Sequence, residues 1–205
     1  MNIRSSLDYT PNGIELPNRI FFTGVPGSRW SGISQILETL DGFNISDRTT
    51  EREYSHNQYS GHKGAYFGKG MEFDAILDSD YIDSPWTSKK GCKIVKSHEW
   101  SYVLPNIKKT FPRDWIMLVY RSDISSFNWW HEAGGFAIKY PNYKSYGTSL
   151  KMLETISEQN NQILNFAYDQ NLSWNFFTDE WIYANFGQKI SIEKQWKDIL
   201  VTIVK

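Results

Sequence analysis

Cysteine is almost absent: Cys92 is the single one in 205 residues. One thiol excludes an internal disulfide framework and a cysteine-based metal site, and it fits a reducing compartment. A surplus of charge is lacking too, with 22 Lys and Arg against 23 Asp and Glu and a formal net charge of −1. A general nucleic-acid binder neutralises phosphates with excess cations, so the balance argues against that class, and any anion site must be local. Long apolar runs are missing. Nothing approaches a membrane span, and residues 1–18 are too polar for a signal peptide, so a soluble, cytoplasmic protein without a membrane partner is expected. Histidine is scarce, and His56 and His62 have neither a nearby cysteine nor a close histidine, so no metal site is expected. Aromatic residues, by contrast, make up 16% of the chain. With this length they provide for a real core in a single domain, residues 1–205.

The most informative stretch is 18–40, NRIFFTGVPGSRWSGISQILETL. Ile20, Phe21 and Phe22 read as a strand buried on both faces, as a parallel sheet requires. Gly24, Pro26 and Gly27 break it. From Ser31 the period becomes helical, with Ile33, Ile36, Leu37 and Leu40 on one face. The first turn of such a helix carries N–H groups without intrahelical partners and the positive end of the dipole, so phosphate or sulfate is its natural guest. A Walker A loop does not fit: counted from Gly24, its second Gly, Lys and Ser/Thr positions hold Arg29, Trp30 and Ser31.

Two further strands end in polar tips. Residues 93–97 run into Lys96-Ser97-His98, and residues 115–121 end in Arg121, followed by Ser122-Asp123-Ile124-Ser125-Ser126. Open α/β sheets place ligands at the carboxyl ends of strands. Asp123 is the expected N-cap of a helix over 124–132. Helices are also expected over 71–77, 104–110, 148–168 and 192–204, with a fourth strand over 172–177. Residues 1–17 form an N-terminal arm. Residues 41–91 are loop-rich, and the Gly, His and Tyr run from Tyr54 suits a lid or acceptor-binding segment as well as a disordered surface loop. The class expected is α/β with a central, mostly parallel sheet.

In order and spacing these motifs resemble the sulfotransferases that use 3′-phosphoadenosine 5′-phosphosulfate (PAPS), in particular compact members from bacteria and bacterial viruses. The resemblance spans about residues 18–132. It implies a three-layer α/β/α fold with a P-loop-like turn and an in-line, metal-free transfer of a sulfuryl group from PAPS to a hydroxyl or amine. The acceptor would be a small molecule or glycan, and 3′,5′-adenosine bisphosphate (PAP) the product. The family loop Pro-Lys/Arg-Ser-Gly-Thr-Thr falls on Pro26, Gly27, Ser28, Arg29, Trp30 and Ser31, which would hold the 5′-phosphosulfate. His98 would be the catalytic base and Lys96 would lie near the bridging oxygen or the sulfate. Arg121 would bind the 3′-phosphate together with Ser125 or Ser126, because Trp129 stands where the family has its serine, eight residues after the arginine. Gly27 replaces the family's basic residue, leaving Arg29 or Lys96 to supply that charge. The C-terminal Arg-Lys-Gly segment is missing, Gly187-Gln188-Lys189 being a poor match, so the nucleotide site is either more open or completed by Lys63 and Lys69. Thr178-Asp179-Glu180 matches an acidic, mainly structural position. Trp129, Trp130, Tyr140 and Tyr143 suit an acceptor pocket, but core packing accounts better for most of them. Two alternatives stay open: a non-catalytic nucleotide-binding protein on a degenerate sulfotransferase scaffold, and a P-loop small-molecule kinase, for which a Walker lysine and a magnesium-holding acid are not evident.

Overall fold

The computed structural model describes residues 13–47, 53–55, 63–66, 74–135, 147–192 and 196–205. In chain order they form β1 (Arg19–Thr23), α1 (Trp30–Leu37), β2 (Glu53–Ser55), β3 (Lys63–Tyr66), α2 (Ser79–Asp83), β4 (Lys93–Lys96), a 3-10 turn (Glu99–Tyr102), α3 (Leu104–Thr110), β5 (Trp115–Tyr120), α4 (Asp123–Glu132), α5 (Ser149–Asp169), β6 (Asn175–Phe176), α6 (Asp179–Phe186) and β7 (Leu200–Val204). Apart from the β2–β3 hairpin, the strands form a five-stranded sheet in the order β4-β1-β5-β7-β6.

Every residue of β1 is buried, as its unbroken apolar run requires. Its side chains alternate between two cores. Ile20 and Phe22 pack with Ile33 and Leu37 of α1 and with Ile182 and Phe186 of α6. Phe21 faces Trp100, Leu104, Ile107 and Met152, stacking on Phe111 with ring centres 5.0 Å apart. β4 and β5 flank β1 in parallel, so Phe22 is level with Lys96 on one side and Met117 on the other. At the amino ends of these strands, Arg19 bonds Asp83 through Nε and Nη2 at 2.7 Å and Asp114 through Nη1 at 2.9 Å, while Lys93 pairs with Asp83 at 3.0 Å. Burial would lift the Asp83 carboxyl, but its bonds from Arg19 and Lys93 outweigh that and hold it below its ordinary value.

The closing helix expected over 192–204 is corrected by the structure. Residues Leu200–Val204 are β7, a β-branched run pairing antiparallel with β5, Tyr120 opposite Leu200. The sheet is therefore mixed, parallel at its centre and antiparallel at β7 and β6. The fourth strand shrinks to two exposed residues at the edge. Residues 74–77 are not helical. The local helix starts at Ser79 instead, where the Asp78 side chain caps it by accepting from the Tyr81 N–H at 2.8 Å. The cap of α4 is Ser122, not Asp123: Ser122 Oγ accepts from the Ser125 N–H, and Asp123 accepts from Asn160 Nδ2 at 2.6 Å. Helices α3 and α5 fall where their spacing predicts, α5 capped by Thr148. Residues 1–12, His56, His62, Lys69, Met71, Tyr140 and Tyr143 lie outside the described residues, and Lys63 falls in β3. No helix among the described residues is long and apolar enough to cross a membrane.

Candidate functional site

The turn after β1 is built by Pro26 and Gly27. Ser28 N–H donates to Val25 C=O at 3.0 Å, and Gly27 has φ +78°, the combination of a type II turn with Pro first and Gly second. Glycine is required at position 27 on space as well. A Cβ there would overlap the Ser126 carbonyl oxygen and come within 3.0 Å of the Trp130 nitrogen, so the turn lies directly on α4. Gly24 is equally tight, since a Cβ would sit 2.8 Å from Ser28 Oγ and 3.0 Å from Val119 Cβ. Arg29 then opens α1 in the left-handed region, φ +67°, which costs a side-chain-bearing residue about 1–2 kcal/mol. No side chain caps this helix end. Thr23 Oγ1, Ser28 Oγ and Arg29 Nε are buried here without a hydrogen-bond partner among the described residues, an unusual concentration of unmatched polar atoms.

His98 follows β4 and reaches under the same loop. Its Nδ1–H donates to the Gly24 carbonyl, and its ring lies against Trp30 with centres 4.2 Å apart. Burial pushes its pKa down to about 3, outweighing the opposing bond to Gly24, so the imidazole is neutral. Lys96 is drawn off elsewhere. Its Nζ pairs at 2.6 Å with Glu38, the C-cap residue of α1, at the opposite end of that helix from the loop, and both side chains are buried.

Arg121 follows β5. Because β7 pairs antiparallel with Leu200 opposite Tyr120, Asp198 is carried up beside Arg121. The guanidinium donates from Nε and Nη2 to the single oxygen Oδ2 of Asp198, both at 2.7 Å, and from Nη1 to the Gly27 carbonyl at 3.0 Å. Arg29 lies near this group. Burial and then the charge of Arg121 lower its pKa, with Asp198 and Glu132 acting the other way. Its guanidinium carbon stands 3.2 Å from the centre of the Trp129 ring. Ser125 is partly exposed and Ser122 Oγ donates to its hydroxyl at 2.9 Å. Ser126 is fully buried, its hydroxyl donating to the Arg121 carbonyl at 3.3 Å.

The structure thus brings residues 26–31, His98 and Arg121 together at the carboxyl ends of three adjacent strands, with Ser125 and Ser126 at the start of α4. β1 passes the chain to β4 on one side while β5 lies on the other, so the strand order reverses around β1, the arrangement that opens a crevice at strand ends. Lys96 is not part of this group. Gly187-Gln188-Lys189 is also structural: Gly187 closes α6 in the left-handed region, and Gln188 exchanges two hydrogen bonds with the Asp41 backbone, at 2.7 and 2.8 Å. Sequence reasoning misses Glu38 and Asp198. The available signal was a carboxylate within reach of each cation, but that needs the tertiary pairing to be seen. Among the described residues no cluster of three or more His, Cys, Asp or Glu could hold a metal ion. No family model, no curated protein and no solved structure matches this chain.

Proposed function

We propose that the chain is a PAPS-dependent sulfotransferase, with residues 24–31 as a P-loop-like turn and helices covering both faces of the sheet as the outer layers of an α/β/α fold. The observation that carries this reading is the convergence of 26–31, His98 and Arg121, far apart in sequence, on the carboxyl ends of adjacent parallel strands. Ser28 Oγ and Arg29 Nε, buried and unmatched, suit an oxygen-rich phosphosulfate. PAPS supplies the activated sulfuryl group, and the rest falls to the chain. Residues 26–31 hold the 5′ end by main-chain N–H groups and hydroxyls. Arg121 offers its planar fork to the 3′-phosphate, and Ser125 is better placed to assist than Ser126, whose hydroxyl is already given to the Arg121 carbonyl. No Cβ fits at Gly27, and Lys96 is committed to Glu38, so the cationic duty at the leaving group passes to Arg29. With the Nδ1 proton directed at Gly24, Nε2 of His98 is the nitrogen that takes a proton from the acceptor hydroxyl or amine. Negative charge held in the loop favours the imidazolium and lifts the depressed pKa. The acceptor is a small molecule or glycan.

The depth at which His98 is buried favours one second reading, a protein that binds the nucleotide without transferring sulfate. The deciding experiment is calorimetric titration of 3′,5′-adenosine bisphosphate against ATP with magnesium, on the natural chain and on Arg121→Ala, followed by PAPS turnover with an acceptor panel. Clear preference for the bisphosphate, lost in Arg121→Ala, is the expected result. Tighter ATP binding, or no binding of either, overturns the proposal. Binding without turnover on any acceptor selects the second reading.

A further inference from the structure

We propose that Asp198 is an internal competitor for the anion-binding edge of Arg121, so that a phosphorylated ligand enters by displacing the Asp198 carboxylate. This rests on the assignment of Arg121 as the phosphate-binding arginine. A guanidinium binds a phosphate through two parallel N–H donors, and the Nε and Nη2 donors that would do so both point at one oxygen of Asp198, at 2.7 Å. A carboxylate using one oxygen makes less of that edge than a phosphoryl group offering two. The exchange leaves the arginine in place, because Nη1 stays bonded to the Gly27 carbonyl at 3.0 Å.

Exposure points the same way. The Arg121 side chain is 13% exposed and that of Asp198 is 49% exposed, so the carboxylate is the partner that faces solvent and can turn away. The residues near it are packed against the core. Trp196 stacks on Phe177 with ring centres 6.2 Å apart and Ile199 is fully buried, so displacement needs only a rotation of the Asp198 side chain. Arg29 and Arg121 are two neighbouring cations, and among the described residues Asp198 is the one carboxylate hydrogen-bonded to Arg121, while Glu132 acts on Arg29 through its charge. Where the resembled family places a basic C-terminal grip, this chain brings an acid to the same arginine. Ligand affinity is therefore set by a contest inside the site as well as by the contacts that the ligand makes.

The test is calorimetric titration of 3′,5′-adenosine bisphosphate into the natural chain, Asp198→Asn, Arg121→Ala and the double variant. Asp198→Ser is run alongside, so that failure of one substitution to fold leaves the other. The expected result is binding about threefold to fivefold tighter in Asp198→Asn and Asp198→Ser, the scale of one half-exposed ion pair released from competition. That gain should vanish when Arg121→Ala is added. Unchanged or weaker binding in the Asp198 variants, with the natural chain still binding, overturns the proposal and makes Asp198 a residue that merely orients Arg121. If neither the natural chain nor any variant binds the bisphosphate, the assignment of Arg121 falls and this proposal falls with it.

Discussion

Arg29 and Trp129 touch, the guanidinium carbon lying 3.2 Å from the centre of the indole ring. Each departs from the sulfotransferase pattern, Arg29 standing at the loop glycine and Trp129 at the serine eight residues beyond Arg121. The two positions at which the chain differs from that pattern thus meet in space. The loop gains a cation, and the indole face holds that cation beside Arg121 despite like-charge repulsion and burial. A partly desolvated cation–π contact contributes about 1–2 kcal/mol, comparable with the left-handed backbone cost at Arg29.

A double-mutant cycle on this pair is expected to show coupling. Trp129→Ser should destabilise the chain by about 1 kcal/mol, and Arg29→Gly should be close to neutral because relief of the left-handed backbone offsets the lost contact. Denaturant melts of the two single variants and the double variant measure the coupling, expected at about 1 kcal/mol. A coupling of zero would show that the two side chains only share a surface.

Placing a basic residue at position 27, where the sulfotransferase loop has one, is expected to damage the protein. Gly27 has φ +78°, and its missing Cβ leaves the space filled by the Ser126 carbonyl. Gly27→Ala and Gly27→Lys should each lose about 2 kcal/mol or more, since backbone strain adds to a clash with a helix main chain that cannot move aside cheaply. Denaturation midpoints decide it. A Gly27→Lys variant as stable as the natural chain would mean that the turn and α4 separate easily.

The parts of this molecule legible in the sequence are those where one local signal decides. β1 and β5 are apolar runs too continuous for a surface helix, and α5 combines a clear 3.6-residue period with Thr148 at its cap. The polar tips His98 and Arg121 follow from strand ends. β7 was not legible, because Ile192, Trp196, Ile199 and Ile203 fall at helical spacing by coincidence, and only pairing with β5 settles the strand. That one misreading hides Asp198, whose place beside Arg121 exists only through the antiparallel register. The same limit hides Glu38, which meets Lys96 across 58 positions of sequence.

The Lys96–Glu38 pair is expected to behave as a structural strut. Both side chains are buried at 2.6 Å separation, so removing one partner strands a charge in the core. Lys96→Met alone should cost about 3–5 kcal/mol, whereas Lys96→Met with Glu38→Leu should recover most of that loss. Thermal and denaturant melts read the difference. If nucleotide binding or turnover collapsed in a well-folded double variant, Lys96 would belong to the site after all.

His98 gives the chain a pH dependence whose sign can be worked out. Its folded pKa, pushed down to about 3 by burial, lies below its ordinary value of about 6.5. Between those values the unfolded chain holds a proton that the folded chain does not, so stability rises as pH rises through the window and is fully present above its upper end. Asp114, lifted by burial above the ordinary carboxyl value, acts in the opposite sense in both proteins, so the comparison with a His98 variant isolates the imidazole. Denaturant midpoints from about pH 4.5 to about pH 7.5 should therefore climb in the natural chain. They should flatten in His98→Asn, whose side-chain amide can still donate to the Gly24 carbonyl but does not titrate. An equal slope in both proteins would mean that His98 is accessible to protons in the folded chain, which would remove the buried, neutral imidazole from the description of the site.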